Sequence, residues 1–180
     1  MRPDQEGEVV FQLQSQLVAQ IPAVRKALDA VRTQPDIPEN WQALAKALSE
    51  AGDREDATRA LEAAVEIAPD RPDVWVDLGA VYVQAGKIDD AIDALEQALE
   101  IEPFAPLAHY NLGLAYQADG RYDDAMDSFE SALTLAPELG NPEVNPGVVN
   151  NPDMPMVKLR IYTKTTGAAP ALFSGDISEE

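Results

Sequence analysis

The sequence predicts an all-α fold built as a solenoid of antiparallel helix pairs. Three observations carry this. A set of positions recurs every 34 residues without one insertion. Alanine and leucine dominate the recurring apolar positions, while aromatic residues make up only 6% of the chain. Glycines and prolines fall at fixed places between apolar stretches of helical period, so they read as helix punctuation rather than as turns between strands. A fixed period of this length is the signature of a stacked repeat, in which each unit buries its apolar face against the next.

The first 37 residues form one decayed unit. Ala23, Ala27, Ala30 and Pro35 stand 34 residues before Ala57, Leu61, Ala64 and Pro69, so residues 22–33 read as the second helix of a pair. Residues 6–20 carry Val9, Val10, Leu13 and Leu17 at helical spacing and read as the first, with Pro22 between them. This pair is expected to cap the array at residues 1–37, because a terminal unit meets solvent on one face.

Three full units follow, at residues 38–71, 72–105 and 106–139. Eight columns hold through all three. Among them are Trp41, Trp75 and His109; Leu44, Leu78 and Leu112; Gly52, Gly86 and Gly120; and Ala57, Ala91 and Ala125. Pro38, Pro72 and Pro106 open the units, where the missing N–H of a first helical position costs nothing. The glycine column suits a left-handed C-terminal cap. Acidic pairs Glu55–Asp56, Asp89–Asp90 and Asp123–Asp124 start the second helices and face the positive end of the helix dipole. Gly79 and Gly113, with Ala45 in the same column, let the two helices of a unit approach closely.

The run Trp75-Val76-Asp77-Leu78-Gly79-Ala80-Val81-Tyr82, followed by Ala91, Leu95, Ala98 and Pro103, resembles the signature of the tetratricopeptide-repeat family. The third unit carries it with His109 in the tryptophan column; the first is looser, with Ala45 and Leu48 for the glycine and tyrosine. The resemblance covers 102 of 180 residues. It implies a right-handed superhelix whose first helices line a concave surface. The residues implied to face inwards are Gln42, Ala43, Lys46, Val76, Asp77, Ala80, Tyr110, Asn111 and Leu114, with Gln84 and Gln117 further along. Such a surface is expected to take an extended peptide segment in an adaptor-like or co-chaperone-like function. A clamp for acidic peptide tails is a poor fit, since only Lys46 and Asn111 suit it and Asp77 opposes it.

Residues 140–180 read differently. Pro137, Pro142, Pro146, Pro152 and Pro155 interrupt any helix between 137 and 155. Residues 156–164 alternate apolar and polar, with Val157, Leu159 and Ile161 on one side and Lys158, Arg160, Tyr162 and Lys164 on the other. The period predicts a strand or extended segment, and Thr165-Thr166-Gly167 a turn towards a weak second strand at Ala171-Leu172-Phe173. The segment has net charge +3, against −16 for residues 38–139. Lys158, Arg160, Tyr162 and Lys164 are therefore candidates for docking on the acidic array, in its own groove or in that of another copy, the alternative being a disordered tail with an incidental strand-like run. The alternative to a peptide-binding module is a self-assembling scaffold, joined through this tail or through an uncapped last helix bearing Met126, Phe129 and Leu133.

The net charge of −19 opposes phosphate backbones and anionic lipid and favours a neutral or basic protein segment as partner. With no cysteine and a single histidine, His109, placed in a packing column, neither a metal site nor a catalytic set assembles. No catalytic residue, metal or cofactor is expected. The absence of a signal-like start or a long apolar run points to a soluble, cytoplasmic protein without membrane insertion.

Overall fold

A computed structural model describes residues 18–166, and for Val149, Leu159 and Tyr162 the backbone alone. Eight α-helices follow in order: α1 (Pro22–Thr33), α2 (Pro38–Glu50), α3 (Arg54–Ile67), α4 (Pro72–Ala85), α5 (Ile88–Ile101), α6 (Pro106–Ala118), α7 (Tyr122–Leu135) and α8 (Met154–Thr166). There is no strand among the described residues. The all-α solenoid is therefore borne out. The pairs α2–α3, α4–α5 and α6–α7 pack most closely, and each pair stacks on the next. Of the expected helix over residues 6–20, only a 3-10 turn at Val18–Gln20 lies among the described residues.

Local sequence explains each boundary. Proline occupies the first turn of α1, α2, α4 and α6. The first helix of each unit ends at Gly52, Gly86 or Gly120, all with positive φ, and no other described residue has one. At the start of α3 the Asp53 carboxylate accepts a hydrogen bond from the Asp56 N–H at 3.1 Å. Lys87 and Arg121 hold the equivalent places before α5 and α7 and make no side-chain cap. There the acids of the first turn face the helix dipole, and Asp124 also accepts a hydrogen bond from Arg121 Nε at 2.7 Å.

Small residues set the spacing within a unit. A Cβ on Gly79 would lie 2.5 Å from Leu95 Cγ, and one on Gly113 would lie 2.6 Å from Phe129 Cδ1. Side-chain hydrogen bonds lock each unit to its predecessor. The Trp41 and Trp75 indoles donate from Nε1 to the carbonyls of Pro35 and Pro69, at 2.6 and 2.9 Å. His109 Nε2 lies 3.0 Å from the Pro103 carbonyl. A carbonyl only accepts, so this nitrogen carries the proton and the imidazole reproduces the indole's bond. Tyr82 donates to Glu62 at 2.9 Å and Tyr116 to Glu96 at 3.2 Å. One unit earlier the same two columns hold Leu48 and Leu28, both buried in one apolar cluster.

The C-terminal segment corrects the sequence reading. Residues 154–166 form α8, not a strand, and the last repeat is not left uncapped. Thr165 and Thr166 end that helix, and the second strand expected at Ala171–Phe173 lies outside the described residues. Met154 and Val157 are buried against Phe129 and Leu133. As a helix the segment satisfies its own backbone groups, which a lone strand with no neighbour cannot do. Val157 and Ile161, which lie in the alternation, also fall at helical spacing with Met154, so the period-two pattern was ambiguous. Pro155 sits in the first turn, where proline is tolerated. Between α7 and α8 the prolines shape two 3-10 turns, Pro137–Gly140 and Pro146–Asn150.

Candidate functional site

The predicted inward residues divide into three groups. Gln42, Lys46, Asp77, Ala80 and Gln84 line one cavity of about 400 Å³ between α2 and α4, together with Ala43, Glu39 and Ser49. Gln42 Nε2 bridges to α4, donating to Asp77 at 2.7 Å and to Asp73 at 3.2 Å. Asp77 remains exposed at its surface, yet desolvation by the cavity wall pushes its carboxyl pKa above the ordinary value, against the opposing pull of the Gln42 hydrogen bond. Asp73 is held below its usual range by the Arg71 guanidinium, which bonds it at 2.6 Å and also reaches Glu39. Ser49 Oγ is buried and makes no hydrogen bond among the described residues. It was not singled out in the sequence, where a serine near a helix end carries no signal.

Val76 and Tyr110 belong to packing surfaces. Val76 is buried with Ala98, Ala105 and Ala108. Tyr110 is 6% exposed, stacked at a tilt on Phe129 with centroids 5.4 Å apart, and shares a cluster with Val148. Gln117 is taken up by the chain itself, donating to the Asn151 side-chain oxygen at 3.2 Å and to Asp153. Asn111 and Leu114 are half-buried on the same helix. The segment around residues 145–153 thus lies against α6, while α8 lies against α7.

The basic residues of α8 meet acids of α7. Arg160 bonds Asp127 at 2.6 Å and lies 3.1 Å from Glu130, and Lys164 pairs with Glu130. Lys158 Nζ donates to the Gly140 carbonyl at 2.8 Å. The side chain of Tyr162 lies outside the described positions. Phe129 and Leu133, expected to offer an apolar face to another copy, are covered by this cap.

Two profiles described as tetratricopeptide repeat match the sequence, one over residues 38–81 and the other over residues 76–139. The chain is a tetratricopeptide-repeat protein. The repeat array is a protein-interaction scaffold, and its solved neighbours share the architecture. A crystal structure of MamA superposes with a TM-score of 0.60 at 20% identity, covering 81% of this chain and 90% of that one. A second MamA crystal structure gives 0.56 at 28% identity, covering 67% and 66%. A MamA RS-1 double mutant gives 0.59 at 20% identity, covering 81% and 86%. No curated protein matches the tetratricopeptide chain in sequence. Among the described residues no helix of the repeat protein is long and apolar enough to cross a membrane.

Proposed function

We propose that this protein is an adaptor that binds an extended, neutral or basic peptide segment in the cavity between α2 and α4. The observation that carries this is the convergence of Gln42, Lys46, Asp77, Ala80 and Gln84 on one recess that also contains an unsatisfied Ser49 hydroxyl. Two amides and a hydroxyl suit the N–H and C=O groups of an extended backbone. Asp77 accepts from an amide and has no cation in hydrogen-bonding contact among the described residues, so a partner's lysine or arginine fits beside it better than an acid does. The cap over α6 leaves the first two repeats as the open part of the face.

A peptide array of graded charge, read by fluorescence anisotropy on the full chain, tests the reading. Neutral and basic peptides are expected to bind, and Asp77→Lys with Gln84→Ala to abolish binding while the chain stays helical. Equal capture by the variant would remove the groove from consideration.

A further inference from the structure

A larger recess among the described residues lies off this face. It measures about 540 Å³ and lies between the α5–α6 turn, α7 and α8, lined by Phe104, His109, Asp127, Leu135 and Lys164 among others. A second recess of about 260 Å³ continues it along Leu99, Tyr116 and Asp124, sharing His109, Asp127 and Ser131. Together they make a trough between α5 and α7, floored by α6.

The repeat explains why the trough opens here. At the preceding junction the same columns hold Trp75, Gln97 and Glu100; in the third unit they hold His109, Ser131 and Thr134, all smaller. The rim changes in the opposite sense. Asp70 and Asp73 are succeeded by Phe104 and Leu107, which are 75% and 55% exposed. One acidic column is thus interrupted by Phe104, beside the space that the smaller residues vacate, and a second by Leu107. Neither change is needed to build a repeat, since the second unit does without them.

We infer that this trough docks an amphipathic segment of a partner protein, with a large apolar side chain beside Phe104 and Leu135 and a lysine or arginine facing the acids around it. Charge complementarity selects that partner. The lining carries Asp124, Asp127 and Glu130 against Lys164. Arg121 and Arg160 pair with part of that wall, yet the Asp127 side chain stays 69% exposed. Glu100 and Glu102, at the end of α5, are exposed and make no ion pair among the described residues. A large anchor side chain enclosed by a ring of surrounding contacts is the usual form of an interaction hot spot, and here Phe104 and Leu135 supply the apolar part of a mixed lining. This surface is independent of the α2–α4 cavity.

The test uses nuclear magnetic resonance of the full chain with two short helical peptides as probes. Both carry leucines on one face; one has lysines on the other face and its control has glutamates. The lysine peptide is expected to give saturable shifts at Leu99, Phe104, His109 and Ser131. Phe104→Asp and Ser131→Gln, each importing the preceding repeat's residue, are expected to weaken it about tenfold while circular dichroism stays helical. Equal binding of the glutamate peptide overturns the inference, as do shifts at Gln42 and Asp77 instead, indifference to both substitutions, or no saturable shift. Self-association of the chain that Phe104→Asp abolishes would assign the trough to a second copy and overturn it too.

Discussion

At the scale of single residues, the glycine column makes the sharpest energetic statement. Alanine at position 113 would drive its methyl into the rigid Phe129 ring, whereas at position 79 it meets Leu95, which can change rotamer. Overpacking of this kind costs about 1–3 kcal/mol, partly offset by the better helix propensity of alanine, worth about 1 kcal/mol. Gly113→Ala is therefore expected to lower the urea midpoint more than Gly79→Ala, and equal midpoints would contradict the packing argument. Asp77 supports a second prediction. Its folded pKa is raised by desolvation, so the folded state holds its proton more tightly than the unfolded chain, and ionisation opposes folding as pH rises through the carboxylate range. Asp77→Asn keeps an acceptor for Gln42 and is expected to be at least as stable as the parent at neutral pH. Affinity for a basic peptide should drop about tenfold in that variant. In the parent it should fall as pH is lowered through the raised pKa, with the variant flat there. The 34-residue period located the first helices, and the inward placement of Gln42, Lys46, Asp77, Ala80 and Gln84 on them followed from the family resemblance, not from spacing. Tyr110 was misjudged as groove surface because what covers it comes from a segment with no repeat partner. The column of Gln42, Val76 and Tyr110 faces the next unit, which spacing within one helix does not reveal.

At the scale of elements, the instructive case is α8. Valine, isoleucine, tyrosine and threonine favour strands in isolation, and their alternation in residues 156–164 matched that preference. Local preference loses to context when an apolar face stands uncovered nearby, because burial of Met154 and Val157 decides the outcome. The ion pairs of Arg160 and Lys164 with α7 are surface pairs and contribute little each. Val157→Ala is therefore expected to destabilise the α7–α8 contact by about 1–3 kcal/mol, and Arg160→Ala by less than about 1 kcal/mol. Hydrogen exchange at α7 amides measures both, and the reverse order would mean that charge rather than burial holds the cap. The prolines between 137 and 155 keep that stretch free of α-helix up to Met154, but they divide two elements and do not prevent a second.

At the scale of the whole molecule, charge works against the packing. Residues 38–139 carry 22 acids and 6 bases, and their mutual repulsion is felt in every stacked pair. Screening over a distance of about 10 Å at 0.1 M salt relieves it. The thermal midpoint of the full chain is expected to rise from low to physiological ionic strength, and a falling midpoint would show that the specific ion pairs outweigh the general repulsion.

The tyrosine–glutamate bonds between units have a further consequence. Tyr82 reaches back to Glu62 and Tyr116 to Glu96, so the tail of each unit already offers what the head of the next requires. A duplicate of residues 72–105 spliced in behind the original would set its tyrosine against Glu96 and its own glutamate against Tyr116. The chain is thus compatible with growth by whole-unit duplication from the middle, with the two ends carried outwards unchanged.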